Sequence, residues 1–171
     1  RLPARATEDN TLVPLEQQNR ADWDKTMIAD AFAQMEAAQS SLDLTRYHLE
    51  AGIASIHAQS TSWEATDWNS IARLYRLLDR HAPSLAVSVN RAVSLIYTGE
   101  RAQATDILDG LKDHRGAAEF PGYHLAVAKL AQANGDPDTA KDALSRASAC
   151  QVSTPIADHI ARQADLIEAG A

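Results

Sequence analysis

The sequence predicts an all-α protein of about eight helices, arranged in antiparallel pairs. Apolar residues recur at three- and four-residue intervals through most of the 171 residues, which is the period of an amphipathic helix. Only 5% of the residues are aromatic and alanine is abundant, a composition that favours close helix packing over a β-sandwich. Proline, glycine and short polar clusters interrupt this pattern and separate one helix from the next.

The first 16 residues are predicted to form an extended arm with one docked segment, since Pro3 and Pro14 lie around the short apolar group Leu12, Val13 and Leu15. A first helix follows, with Asp22 as its candidate N-cap. Its predicted inner stripe consists of Trp23, Met27, Ala31 and Met35, with Ile28 and Phe32 beside it. A second helix is expected to begin near Asp43 or Thr45, and Gly52 in it would allow a close helix contact.

The stretch 66–96 is predicted to form two helices that are separated by a proline. Thr66 or Asp67 can cap the first, and Pro83 should end it near His81 because proline disfavours an α conformation in the residue before it. Ser84 can cap the second. The predicted inner stripe of that second helix is Ala86, Val89, Val93 and Ile96, with the polar pair Asn90 and Arg91 in its middle.

An internal repeat follows, in which two helix pairs are related by a constant offset of 36 residues, by subtraction. The equivalent residues are Ala92 and Ala128, Gly99 and Gly135, Ala104 and Ala140, and Leu108 and Leu144. This offset is close to the ~34-residue tetratricopeptide unit, which needs small residues where its two helices cross. The repeat predicts helix pairs stacked as a tetratricopeptide-like right-handed superhelix. A last helix, Thr154 to Ala169, should cap the stack.

Charge and cysteine content exclude several classes of protein. The net charge of −7 and the absence of a Lys/Arg cluster argue against direct nucleic-acid binding. No apolar run approaches the ~18 residues of a membrane span, and Cys150 is a single cysteine, so a cytoplasmic protein is expected. The sequence has no HExxH, CxxC, phosphate-binding glycine loop or GxSxG motif. We therefore expect no enzyme activity, no metal site and no cofactor.

Five blocks of the sequence resemble the C-terminal extension of a subgroup of extracytoplasmic-function RNA polymerase sigma factors. The blocks are RADWDKTMIADAF, YHLEAGIASIHA, TDWNSIARLYRLL, PSLAVSVNRAVSL and GYHLAVAKLA. The resemblance extends from about Leu12 to Ala169, in the order and at the separations typical of that group. Members of that group have an acidic DQDR-like segment before a Trp-Asp pair. Residues 16–20 of this chain correspond to that segment, and Arg20 is the residue that best matches its pattern.

The resemblance implies a regulatory domain without the two N-terminal sigma modules that bind polymerase and promoter. The first residue is Arg1 instead of Met, so we expect a piece of a longer protein or a stand-alone relative. Residues 1–16 would be the arm or linker and 17–171 one helical domain. Within it we assign 17–82 to family-specific helices, 83–151 to two repeat-like pairs and 152–171 to the capping helix.

By this resemblance, the domain would act in transcription initiation by protein contact. Its expected partners are the sigma modules of the same protein, RNA polymerase through them, and a protein regulator, with neither direct nucleic-acid nor membrane binding. The candidate contact residues are Tyr47, His57, Asp67, Asn90, Arg91, Tyr123 and His124. The sequence leaves two alternatives open: Asn90 and Arg91 could form a buried structural network, or Arg91 could meet an anion in the pocket of a small-molecule sensor.

Overall fold

The computed structural model describes residues 2–5, 7, 11–38 and 44–169, and these residues form eight α-helices and no strand. The predicted all-α class is therefore confirmed. The helices are α1 (Lys25–Ala38), α2 (Arg46–Gln59), α3 (Trp68–His81), α4 (Leu85–Thr98), α5 (Arg101–Leu111), α6 (Pro121–Ala133), α7 (Pro137–Ala149) and α8 (Thr154–Ala169). The right-handed superhelix stays a prediction.

The chain divides into two compact units, Arg1–Ala82 and Pro83–Ala171. The first contains α1 to α3 and the second contains α4 to α8. The division falls at Pro83, the boundary predicted between the helices 17–82 and the repeat-like pairs 83–151. That 17–171 forms one domain stays a prediction.

The N-terminal segment differs from the extended arm predicted for residues 1–16. It contains the short 3-10 helices Leu2–Arg5 and Leu15–Gln17, and a third, Arg20–Asp22, precedes α1. The backbone N–H of Val13 donates to the Arg5 carbonyl at 2.9 Å, and the buried Gln18 side chain donates to the Val13 carbonyl at 3.0 Å. The segment folds back because these bonds satisfy its polar backbone groups locally.

Helix α1 begins later than the sequence predicted, and its inner face is shifted. The N-terminal hydrogen bond of the helix is accepted by Asp24 and not by Asp22: the Met27 N–H donates to the Asp24 carboxylate at 2.9 Å. Trp23 is buried but precedes the helix, whereas Met27 is 66% exposed. The half-buried residues of α1 are Ile28, Phe32 and Met35, so the predicted stripe through Met27 and Ala31 was wrong. Trp23 lies between the 3-10 helix Arg20–Asp22 and α1. Because it is not part of the helix, counting helical intervals from it placed the wrong residues on the inner face.

Helices α2 and α3 pack against each other at Gly52. An added Cβ at Gly52 would lie 3.2 Å from the Leu74 side chain, so the close contact expected of this glycine is confirmed. Asp67 caps α3 by accepting from the Ser70 N–H at 3.0 Å, and α3 ends at His81 as predicted. Buried residues of this pair are Leu49, Ile53, Ile71 and Leu78.

Helix α4 also has a different inner face from the predicted one. Ser84 caps it by accepting from the Val87 N–H at 3.2 Å, as expected. Val89 and Ile96 are buried, but Ala86 is exposed and Val93 only half-buried. The other buried residues of the helix are Val87, Ala92, Ser94 and Leu95. This wider inner face exists because α4 packs against both α5 and α6.

The internal repeat corresponds to the pairs α4/α5 and α6/α7. Gly99 and Gly135 both adopt positive φ, 82° and 72°, at the end of the first helix of each pair. The small and leucine positions of the repeat are all buried: Ala92, Ala128, Ala104, Ala140, Leu108 and Leu144. Helix α8 has the predicted bounds and covers α7, with Ile160 packed in a cluster with Leu144 and Ala147.

Candidate functional site

A groove of about 250 Å³ lies in the second unit, where α6, α7 and the segment after α5 meet. It is lined by Lys112, Ala118, Tyr123, His124, Val127, Thr139, Asp142, Ala143 and Arg146. Two of the predicted contact residues, Tyr123 and His124, are brought together here. They are consecutive on the first turns of α6, which begins at Pro121, a favourable first helical residue.

Gly122 lies in the first turn of α6, close to the Phe120 ring. A Cβ at this residue would lie 2.8 Å from the Phe120 ring, a distance that real Cβ atoms essentially never show. The glycine therefore lets Phe120 pack directly over the start of the helix. The adjacent Tyr123 and His124 rings then meet edge to face, with their centroids 5.3 Å apart.

The polar atoms of these two rings bind the backbone. The Tyr123 hydroxyl donates to the Leu108 carbonyl at 3.1 Å, and Nε2 of His124 lies 3.0 Å from the Ala118 carbonyl oxygen. Both residues are buried, 9% and 7% exposed. Burial raises the pKa of the Tyr123 hydroxyl, and the Asp109 and Asp113 carboxylates raise it further, so the phenol stays neutral. What the rings offer to the groove is mainly apolar surface.

Charged and polar side chains surround this apolar floor. Arg146 donates through Nε to Asp142 at 2.9 Å, and both side chains are 65% exposed. Lys112, the residue that follows α5, is also exposed. The Thr139 hydroxyl donates to the Asp136 carboxylate at 2.6 Å, and Asp136 is the N-cap of α7. The charged side chains that line the groove are Lys112, Asp142 and Arg146, and the Asp109 and Asp113 carboxylates lie close enough to act on Tyr123.

Cys150 lies beside the groove but is not activated. Its sulfur is 3.6 Å from the Ala118 carbonyl oxygen and 3.4 Å from that of Arg146. Burial raises the pKa of the thiol, and the Glu119 carboxylate raises it further. The protonated thiol is a weak nucleophile at neutral pH, so this arrangement does not favour covalent chemistry.

A second cluster, in the first unit, joins three rings to the end of α2. The His57 ring stacks on Trp63, with centroids 5.9 Å apart at 14°, and meets Trp68 edge-on at 5.4 Å. Arg20 donates to the carbonyls of His57 and, at 3.2 Å, of Ser60.

The same Arg20 guanidinium also reaches the Thr66 hydroxyl at 3.4 Å and lies 4.9 Å from the centre of the Trp23 ring. Burial lowers its pKa, against the opposing effect of Glu64. We interpret this cluster as a structural connection of the N-terminal segment to α2 and α3.

The other predicted contact residues are dispersed. Tyr47 is 77% exposed on α2, His57 belongs to the ring cluster, and Asp67 is the α3 cap. Asn90 is exposed and Arg91 half-buried on α4, and neither lines the groove.

The sequence alone did not indicate that Lys112, Asp142 and Arg146 line the groove. The one available signal was the spacing of Asp142 and Arg146, which places an ion pair on one face of α7. Lys112 reaches the groove because the segment after α5 lies beside the start of α6. The spacing of residues in the sequence does not predict this packing.

The described part of the chain contains no group of three or more His, Cys, Asp or Glu residues that could hold a metal ion. Within the same residues, every helix is too short or too polar to cross a bilayer.

Comparison with known proteins finds two similarities. Residues 1–39 match a family of unknown function, DUF6596. An uncharacterized protein of Rhizobium meliloti (strain 1021) is 31% identical over 169 residues, which are 99% of this chain and 40% of that protein. The chain thus spans less than half the length of the curated relative it matches. No solved structure was found to match.

Proposed function

We propose that this chain is a non-enzymatic regulatory domain of an extracytoplasmic-function sigma factor. It acts in transcription initiation by contacting the sigma modules of the same protein, and through them RNA polymerase, or by contacting a protein regulator. The observation that carries the proposal is the groove at the second repeat-like helix pair, which exposes charged side chains around an apolar floor. Stacked helix pairs commonly present such surfaces to peptides and neighbouring domains.

The comparisons accord with a domain that functions within a longer protein. The Rhizobium relative aligns with nearly all of this chain yet has most of its own length outside the match. In the proposed arrangement, DNA recognition belongs to other modules, since a domain of net charge −7 is poorly suited to a phosphate backbone. The domain would act in the cytoplasm, where RNA polymerase is found.

The test uses the full-length Rhizobium relative, because that protein contains the additional chain. In vitro transcription with core polymerase, on the promoter of its own gene, would compare three proteins. They are the intact relative, the relative without the matching region, and a chimera that carries Leu12 to Ala171 of this chain in that place.

We expect the truncation to change transcription at least severalfold and the chimera to restore the original level. The direction of the change would distinguish an activating from an inhibitory domain. Equal transcription by all three proteins, or none by the intact relative, would contradict the proposal. A pulldown of the separate sigma modules by this chain provides an independent measurement of contact.

A further inference from the structure

We infer that the exposed face of α3 is a docking surface for an acidic helical segment of another protein. The face, here called the arginine stripe, consists of Arg73, Arg76 and Arg80. The inference goes beyond the proposed function, because it concerns the first unit and depends on neither the groove nor the sigma-factor assignment. It is carried by the placement of the three cations and by the partners that they have within the fold.

The arginine stripe is continuous along one side of α3. Spacings of three and then four residues place the three side chains within about 60° of one another around the helix axis, and along about 10 Å of its length. All three arginines are exposed. The one carboxylate within α3 is that of Asp79, so this helix is basic in a chain of net charge −7.

Arg76 and Arg80 hold the uncompensated charge of the stripe. Arg73 donates through Nη2 to the Ser70 hydroxyl at 2.7 Å, and that hydroxyl donates to the capping carboxylate of Asp67. Arg73 therefore belongs in part to the helix cap. Among the residues that the structure describes, Arg76 and Arg80 have neither a side-chain hydrogen bond nor an ion pair.

The two carboxylates near the stripe do not neutralise it. Both oxygens of Asp67 accept from Ser70, one from its N–H at 3.0 Å and the other from its hydroxyl. Asp79 lies three residues from Arg76, but it is half-buried and its interactions are made with other groups than Arg76 and Arg80. A carboxylate from a partner therefore meets two available guanidinium groups.

This arrangement costs the free helix stability. Like charges at an i,i+4 spacing destabilise a helix, and Arg76 and Arg80 have that spacing. The macrodipole favours Arg80, which lies in the last turn, but not Arg76 in the middle of the helix. An acidic partner removes the repulsion and adds charge-assisted contacts. Binding thus favours a cation at position 76, whereas the stability of the free helix does not.

The opposite side of α3 restricts the class of partner. Ile71 and Leu78 are buried, and Leu74 packs against α2 at Gly52. These apolar side chains are thus not available to enter a bilayer. Three cations are also a small patch for a nucleic-acid backbone, which is bound by larger basic clusters. A helix that runs antiparallel to α3, with carboxylates at intervals of four and then three residues, matches the arginine stripe.

The experiment is a nuclear magnetic resonance titration of the whole isotope-labelled chain, which detects the millimolar affinities that a few exposed ion pairs provide. The probes are three blocked helical peptides based on alanine and glutamine. The first has three glutamates at intervals of four and three residues. The second has the same composition with its glutamates on different faces, and the third has glutamines in their place.

We expect the first peptide to shift amide signals of α3 and the second to bind at least about threefold more weakly. The third should not bind. The affinity of the first should fall as salt is raised from low to physiological ionic strength, because the contacts are exposed.

Arg76→Gln gives two readouts of opposite sign. It should weaken the first peptide about threefold, and it should raise the urea midpoint of the free chain, because it relieves the repulsion with Arg80. Arg80→Gln should weaken the peptide by a similar factor. Arg101→Gln is the matched control for binding, since Arg101 is exposed on α5 and lies outside the stripe. Circular dichroism would verify that each variant is folded.

Equal binding of the three peptides, or an affinity that is insensitive to both stripe substitutions, would overturn the inference. A lower urea midpoint for Arg76→Gln would do so too, since it would give Arg76 a role in the fold. A short DNA duplex and phosphatidylserine vesicles are titrated at the same ionic strength. Tighter binding of either than of the first peptide would make the stripe a phosphate-binding surface and contradict a protein partner.

Discussion

The Arg20 side chain lies at the C-terminal end of α2, where the last carbonyls of a helix lack intrahelical donors. It supplies donors to two of them, from His57 and Ser60, and also reaches the Thr66 hydroxyl before α3. One residue of a 3-10 helix thereby joins the N-terminal segment to two α-helices. Sequence comparison singled out Arg20 only as a match to a family pattern, and this contact gives that position a structural reason.

Substituting Arg20 should destabilise the first unit. Arg20→Ala leaves the carbonyls of His57 and Ser60 without this donor, and we expect a loss of about 2 kcal/mol in the free energy of unfolding. Arg20→Lys keeps the positive charge but lacks the planar guanidinium with its several N–H donors, so it should recover only part of the lost free energy of unfolding. Urea unfolding followed by circular dichroism measures both. A loss below ~0.5 kcal/mol for the alanine variant would show that these hydrogen bonds contribute little.

The carboxylate of Asp136 makes stability depend on acid pH. Hydrogen bonds from the Thr139 hydroxyl, and then from the Thr139 N–H, hold the pKa of Asp136 below its usual range. A carboxylate with a lowered folded-state pKa stabilises the fold above its unfolded pKa of about 3.9, and this contribution is lost as pH falls through the folded value.

Asp136→Asn tests this directly, since asparagine also caps helices but does not titrate. The difference in melting temperature between the natural chain and the variant should shrink as pH falls from about 5 to about 2. Differential scanning calorimetry at several pH values measures it. A difference that stays constant over that interval would be inconsistent with an ionised cap.

At the scale of elements, Gly99, which ends a helix, differs from Gly110, which lies inside one. Gly99 ends α4 in the left-handed region, with its N–H bonded to the Ile96 carbonyl at 3.1 Å. Gly110 lies within α5 and has nothing within 4 Å of the position of an added Cβ. The same substitution therefore has opposite consequences at the two positions.

Gly99→Ala should destabilise the chain by about 1 kcal/mol, because an L side chain is strained at positive φ. Gly110→Ala should stabilise it by about 0.5–1 kcal/mol, because alanine loses less backbone entropy inside a helix. Both values come from urea unfolding curves under identical conditions. If the two variants shifted stability in the same direction, the assignment of the α4 end would be wrong.

The helix ends were easier to predict from sequence than the helix faces. Ser84, Asp67 and the bounds of α8 follow from capping chemistry and local periodicity, which act within a few residues. The faces of α1 and α4 depend on which neighbours they pack against. For α4, contact with both α5 and α6 buries Val87 in place of Ala86.

The groove was predictable only in part, for the same reason. Tyr123 and His124 were found because they lie on a helix with a family-like sequence. Lys112, Asp142 and Arg146 come from other elements, and their convergence depends on how α6, α7 and the segment after α5 pack. Non-local packing of this kind leaves no signature at a fixed spacing in the sequence.

At the scale of the whole molecule, the chain consists of two compact units. Leu78 is buried in the first, and Ile160 is buried in the second, where it joins α8 to α7. Truncation to alanine at either position removes buried methyl groups and leaves a cavity, at a cost of about 3 kcal/mol. Each substitution should weaken its own unit most.

The ring cluster of the first unit has a spectroscopic consequence for such measurements. All three tryptophans of the chain, Trp23, Trp63 and Trp68, lie in Arg1–Ala82, so tryptophan emission, excited at a wavelength that tyrosine does not absorb, reports on that unit. Leu78→Ala should lower the fluorescence-detected unfolding midpoint more than Ile160→Ala does, whereas Ile160→Ala should cause an earlier loss of far-ultraviolet circular dichroism. The reverse order would be incompatible with the placement of Leu78 and Ile160 in different units. The protein thus carries its own tryptophan label in one half of the molecule, whereas the half that contains the groove has tyrosines but no tryptophan.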